Sequence, residues 1–201
     1  MAGLDIWNRG DFMLWGREKG FTVTEMREME NALRNSVLYS LKLTADDNEL
    51  SDKLGLKVEY VMNMSDDNEA ELLPIDDNNY YGLIRMRKEL KKYKFAYIHE
   101  IIHYIFDVGY GNKVTECFSR KKKGKTNSHE EQRTNYMTAA YIMPSAQIAG
   151  ELYKYDHSVP KMDELAFIRT LQVRYQQSET AVIRRIREVR KLIKSGESYT
   201  A

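Results

Sequence analysis

The chain is poor in the residues that usually build disulfides and metal sites: it has one cysteine and four histidines among 201 residues. A lone thiol, Cys117, cannot close an internal disulfide, which suits a reducing compartment. Charge is also nearly absent in net terms, because 31 basic side chains face 30 acidic ones for a balance of +1. That balance gives no global electrostatic case for nucleic acid or for an anionic membrane. No apolar run approaches the length that spans a bilayer. The start, Met1-Ala2-Gly3-Leu4-Asp5, has neither the basic opening nor the apolar stretch of a secretory leader. A cytoplasmic protein is expected. What is present is ordinary: 42% hydrophobic and 30% charged residues, in a length that buries one core with or without a small appendage.

Two of the four histidines fall in His99-Glu100-Ile101-Ile102-His103. The flanking Phe95, Ala96, Tyr97, Ile98, Tyr104, Ile105 and Phe106 make this a helix. On a helix, histidines four apart stack on one face, so both imidazoles can reach one cation. Glu100 projects beside that cation, where a carboxylate can take a proton from a water molecule held there. This is the HExxH arrangement of metal hydrolases. The plain alternative, a buried helix with satisfied core histidines, would bury three polar groups without purpose.

Around this helix the pattern alternates between helical and extended stretches. Thr24 opens a helix through Leu41, after a first twenty residues (Trp7, Gly10, Trp15, Gly16, Gly20) that read as an irregular arm. Thr44-Ala45-Asp46-Asp47 reads as the cap of a short helix stopped by Gly55. Leu56 to Met62, Ala70 to Ile75 and Tyr80 to Met86 read as strands, with a turn at Asp76-Asp77-Asn78-Asn79. The metal helix is expected from about Glu89 or Leu90 to Phe106, with Gly109 past its end. Phe118 to Ser128, basic and turn-rich, reads as a solvated loop. Helices are expected over His129–Met143, Ser145–Tyr155, Pro160–Tyr175 and Ser178–Lys194. Helices, a small mostly antiparallel sheet, then helices make an α+β layout. The expected divisions are 1–43, 44–155 and 156–201, the last two packed together.

A hydrolytic zinc site needs three protein ligands and an open position. Asp107, Glu116, Cys117, His129, Glu130 and Glu131 are candidates for the third. Asp107 lies about 6 Å along the helix from His103, too far for tidy tetrahedral geometry. A ligand from a second helix closes the site better, and His129 to Met143 offers Glu131, Thr134, Asn135 and Thr138 on one face. Glu131 has an equal claim as a helix cap, since Ser128-His129-Glu130-Glu131 has the capping-box form. Spacing leaves cap and ligand open.

The segment Glu131-Gln132-Arg133-Thr134-Asn135-Tyr136-Met137-Thr138-Ala139-Ala140-Tyr141-Ile142-Met143-Pro144 resembles the second motif of the ImmA/IrrE family of metallo-endopeptidases. In that family a helix beginning with glutamate and ending in Met-Pro follows the HExxH helix. Lys94-Phe95-Ala96-Tyr97-Ile98 is similar to the family's basic-aromatic lead into the first histidine, and Gln177 to Ile186 to its last helix start. The resemblance spans about residues 44 to 194. It departs at Ile102, where glycine is common, and at Thr134 and Thr138, where alanine is usual; the first forty residues match nothing. It implies a zincin-like core, one zinc ion held by His99, His103 and Glu131, and Glu100 as general base. It also implies a narrow protein substrate: a helix-turn-helix repressor of a prophage, mobile element or stress regulon, or an antitoxin. The strand Tyr80 to Met86 is expected at the sheet edge, with Tyr80, Tyr81, Gly82, Leu83 and Ile84 binding an extended substrate through main-chain bonds.

A rival class is a DNA- or protein-binding regulator with a structural or vestigial zinc. The last two expected helices have a helix-turn-helix outline, with Arg184, Arg185 and Arg187 on the final one. Such an outline is also a common way to close a core with a solvated basic face.

Overall fold

The computed structural model describes residues 20–41, 47–64, 68–88, 94–121 and 129–195. The expected N-terminal arm, the cap residues Thr44, Ala45 and Asp46, and most of the basic loop lie outside them. The first helix, α1 (Val23–Arg34), starts one residue before Thr24, because Thr22 and Glu25 form a reciprocal capping box there. After the short α2 (Val37–Ser40) comes α3 (Asp47–Leu54). It ends as expected at Gly55, which turns left-handed at φ +67° with the Tyr81 ring directly against it.

Three strands follow, β1 (Leu56–Val61), β2 (Asn68–Leu73) and β3 (Gly82–Arg87), and a fourth, β4 (Phe118–Lys121), comes later. Their order across the sheet is β1-β3-β2-β4. β1 runs parallel to β3, while β2 is antiparallel to both β3 and β4. Alternation sends Leu56, Ala70, Leu72, Ile84 and Met86 into the core. The opposite face carries charge, with Arg85 reaching Glu59 and Glu71.

Two expectations fail in this sheet. Phe118 to Lys121 is a strand and not a loop; as an edge strand it tolerates the charged residues that made it read as a solvated connection. The strand expected at Tyr80 to Met86 is no edge. β3 is paired on both sides, so its amides and carbonyls already serve β1 and β2. Tyr81 in turn donates its amide to the Gly55 carbonyl at 2.7 Å and accepts from the Val114 amide at 2.8 Å, while the Tyr80 carbonyl accepts from Lys113. Tyr80, Tyr81, Gly82, Leu83 and Ile84 therefore do not offer a free main-chain edge to a substrate.

The helix carrying both histidines, α4 (Lys94–His103), lies against β2, β3 and β4 on one side and α5 (His129–Ile142) on the other. Directly after His103 it widens into a π-helical segment, Tyr104–Gly109. α6 (Ser145–Asp156), α7 (Glu164–Tyr175) and α8 (Glu179–Lys194) complete the fold. α7 starts later than Pro160 because Asp163 caps it through the Ala166 amide. Ser178 caps α8 by accepting from the Ala181 amide.

On α8, Val182, Ile186, Val189 and Leu192 form the buried stripe, while Ile193 is 42% exposed. Arg185 joins that stripe. It is fully buried, donates to Glu30 of α1 at 3.0 Å, to the Met143 carbonyl at 2.9 Å and to Ser145 at 2.6 Å, and lies over the Tyr136 ring. Glu188 adds a second carboxylate at 3.3 Å. A guanidinium enclosed this way cannot reach DNA, so the expected Arg184, Arg185 and Arg187 contact surface loses its central member. Its neighbours on α8 are engaged too: Arg184 with Glu188, Arg190 with Asp156, and Lys191 with the Phe21 carbonyl.

Candidate metal centre

α4 is apolar enough to be enclosed on all sides, and Ala96 through His103 are buried. His99 and Glu100 are fully covered, and His103 is 4% exposed. The four-residue spacing brings the two imidazoles together, with Nε2 of His99 3.1 Å from Nε2 of His103. Two ring nitrogens at that distance need either a shared proton or a cation between them. The third corner comes from α5. Glu131 sets Oε2 3.3 Å from His99 Nε2 and Oε1 3.2 Å from His103 Nε2. Its carboxylate is thus turned to the imidazoles.

The trio has the dimensions of a coordination site. The two imidazole nitrogens stand 3.1 Å apart and each lies 3.2–3.3 Å from a different oxygen of the Glu131 carboxylate, close to the spacing of donors that share one zinc ion at about 2.0–2.1 Å. Among the described residues, His99, His103 and Glu131 form one group of ligand atoms within 4.8 Å of one another. The other candidates lie elsewhere. Glu116, Cys117 and Glu130 are exposed, and His129 packs its ring edge-on against Phe21.

Electrostatics follow the geometry. Burial alone would push His103 toward its neutral form, but Asp107 and Glu131 hold its proton and raise it to about 9. Glu131 resists burial because both histidines stabilise its anion, and it stays well below the usual carboxylate range. Glu100, next to His99 in the chain and fully buried, adds a charge that also favours the protonated form of His103.

Three neighbours of the site have roles that the sequence reading did not assign. Asp107, weighed as a distant ligand, instead meets His103 at Nδ1, across the ring from the trio, at 2.5 Å. Arg133 of α5 pairs with the other oxygen of Asp107. Phe118 of β4 lays its ring 5.3 Å from that of His103. The i, i+4 interval from His103 to Asp107 was the available signal for the first; no sequence signal marks the other two.

A His-Glu-x-x-His helix faced by a carboxylate from the next helix, beside a small mixed sheet, defines a metallopeptidase-type centre. The model of peptidase family M78, described as the IrrE N-terminal-like domain, matches residues 59–187. The chain belongs to this ImmA/IrrE family of metallopeptidases. No curated protein matches the chain. Membership implies a bound metal and a protein substrate, and the His99, His103 and Glu131 group could hold that metal. Among the described residues, no helix is long and apolar enough to cross a membrane.

Proposed function

We propose that the protein is a zinc-dependent endopeptidase of narrow specificity, acting in the cytoplasm on a helix-turn-helix repressor or antitoxin. The carrying observation is the pair of imidazole nitrogens 3.1 Å apart, each 3.2–3.3 Å from an oxygen of the Glu131 carboxylate, with Glu100 buried on the same helix. Two nitrogens and an oxygen suit zinc, one ion per chain, with His99, His103 and Glu131 as ligands. When bound, the ion supplies Lewis-acid chemistry, activating a water and polarising the scissile carbonyl. Glu100 accepts the proton of the attacking water and returns it to the leaving amine. A purely structural site needs ligands but no such base, so Glu100 weighs against a vestigial centre.

With β3 enclosed, the substrate must use another edge. β4 pairs with β2 on one side and borders the trio through Phe118. An extended segment added to its outer edge would pair with the strand whose Phe118 packs on His103. The repressor-type substrate rests on the family resemblance. Its test is incubation with zinc and any small helix-turn-helix protein encoded beside this gene, followed by mass spectrometry. A single cut, absent with Glu100→Gln, supports the reading. Intact partner with both forms, together with operator binding by both, supports the regulator class instead.

A further inference from the structure

We infer that Asp107 and Arg133 are positioning residues for the metal ligand His103, a role that rests on the metal reading above and deepens it. Asp107 Oδ2 lies 2.5 Å from His103 Nδ1. A carboxylate carries no proton to give, so the hydrogen belongs to Nδ1. In the neutral form of the ring, the one that can bind a metal, that tautomer leaves the lone pair on Nε2, the nitrogen that faces His99 and Glu131. Carboxylates that accept from the outer nitrogen of a ligating imidazole fix the ring's orientation and raise its basicity as a ligand.

Asp107 is itself fixed. Its second oxygen pairs with Arg133, two residues beyond Glu131 on α5. The chain His103–Asp107–Arg133 therefore joins the helix that carries His99 and His103 to the helix that carries Glu131. Asp107 stands in the π-helical segment that begins one residue after His103; such departures from α-winding recur at functional sites. The two side chains are 19% and 34% exposed, so a plain ion pair between them would hold the helices only weakly. Its contact with the buried imidazole is what gives the pair a further task.

The test uses the full chain and zinc alone, titrated against a competing chelator, with circular dichroism to verify folding. Wild type should load one zinc. Asp107→Asn keeps the shape and an acceptor but not the charge, and should bind zinc about 10- to 100-fold more weakly. Arg133→Gln frees Asp107 from its anchor and should weaken binding by a smaller factor. It also serves if Asp107→Asn fails to fold. Cobalt replacing zinc gives a visible absorption spectrum that reports ligand geometry, and both variants should shift it. A merely structural ion pair would lower the melting temperature yet leave zinc affinity and the cobalt spectrum unchanged, which would overturn the inference. Wild type that takes up no zinc would instead overturn the metal reading and the positioning role together, so the two failures are separable.

Discussion

Glu100 is fully buried next to His99 in the chain, and its isosteric replacement separates binding from chemistry. Glu100→Gln should retain zinc at wild-type stoichiometry, measured by atomic absorption, while cleavage of the partner protein slows about 10²- to 10⁴-fold. Glu131→Gln should do the reverse at the metal. Loss of the anion that faces both imidazoles should weaken zinc by at least about tenfold in a chelator titration; retention of affinity would make Glu131 a cap and no ligand. His99, Glu100 and His103 were legible because a helical backbone fixes the relation of residues four apart. Glu131 was legible only with the family pattern, since no spacing within one helix reveals what a second helix brings across. Arg185 was readable and missed: three residues after Val182 and four before Val189, it falls on the apolar stripe, and charge alone made it look solvent-facing.

At the scale of elements, glycine decides where α3 gives way to β1. Gly55 sits at φ +67°, and an added Cβ would meet the Tyr81 ring at 2.6 Å. Gly55→Ala should therefore cost about 1–2 kcal/mol of backbone strain, or more if the ring must move, read as a lower urea midpoint at unchanged slope. Helix positions followed largely from periodicity and caps, although the stretch expected as one helix from Thr24 to Leu41 divides into α1 and α2, and α7 starts four residues after Pro160. Strand neighbours did not follow. The alternation of Gly82, Ile84 and Met86 reports that one face of β3 is buried, but it says nothing about which strands flank it. β4 was hidden for the opposite reason: an edge strand four residues long, rich in Arg and Lys, has the composition of a loop.

Across the whole molecule, Arg185 gathers α1, α5, the start of α6 and α8 around one charge. Removing the guanidinium leaves Glu30 among buried groups without its cation. Arg185→Met should destabilise the fold by about 3–5 kcal/mol, and Glu30→Gln with Arg185→Met should recover part of the loss. Chemical denaturation of the two variants checks both numbers. Absence of any loss in the single variant would mean that the network is not closed in solution.

That network also bears on how the protein may be shortened. The family match ends at residue 187 and begins at 59, so it omits both Glu30 and Glu188, the two carboxylates that neutralise Arg185. A chain trimmed to the matched stretch would keep His99, Glu100, His103 and Glu131, every residue of the proposed chemistry. It would also keep a guanidinium built for enclosure with neither of its counter-anions. Recognisable similarity and autonomous folding thus have different borders here. A fragment from 59 to 187 should be recovered as insoluble or protease-sensitive material, whereas one from 20 to 195 should be recovered folded.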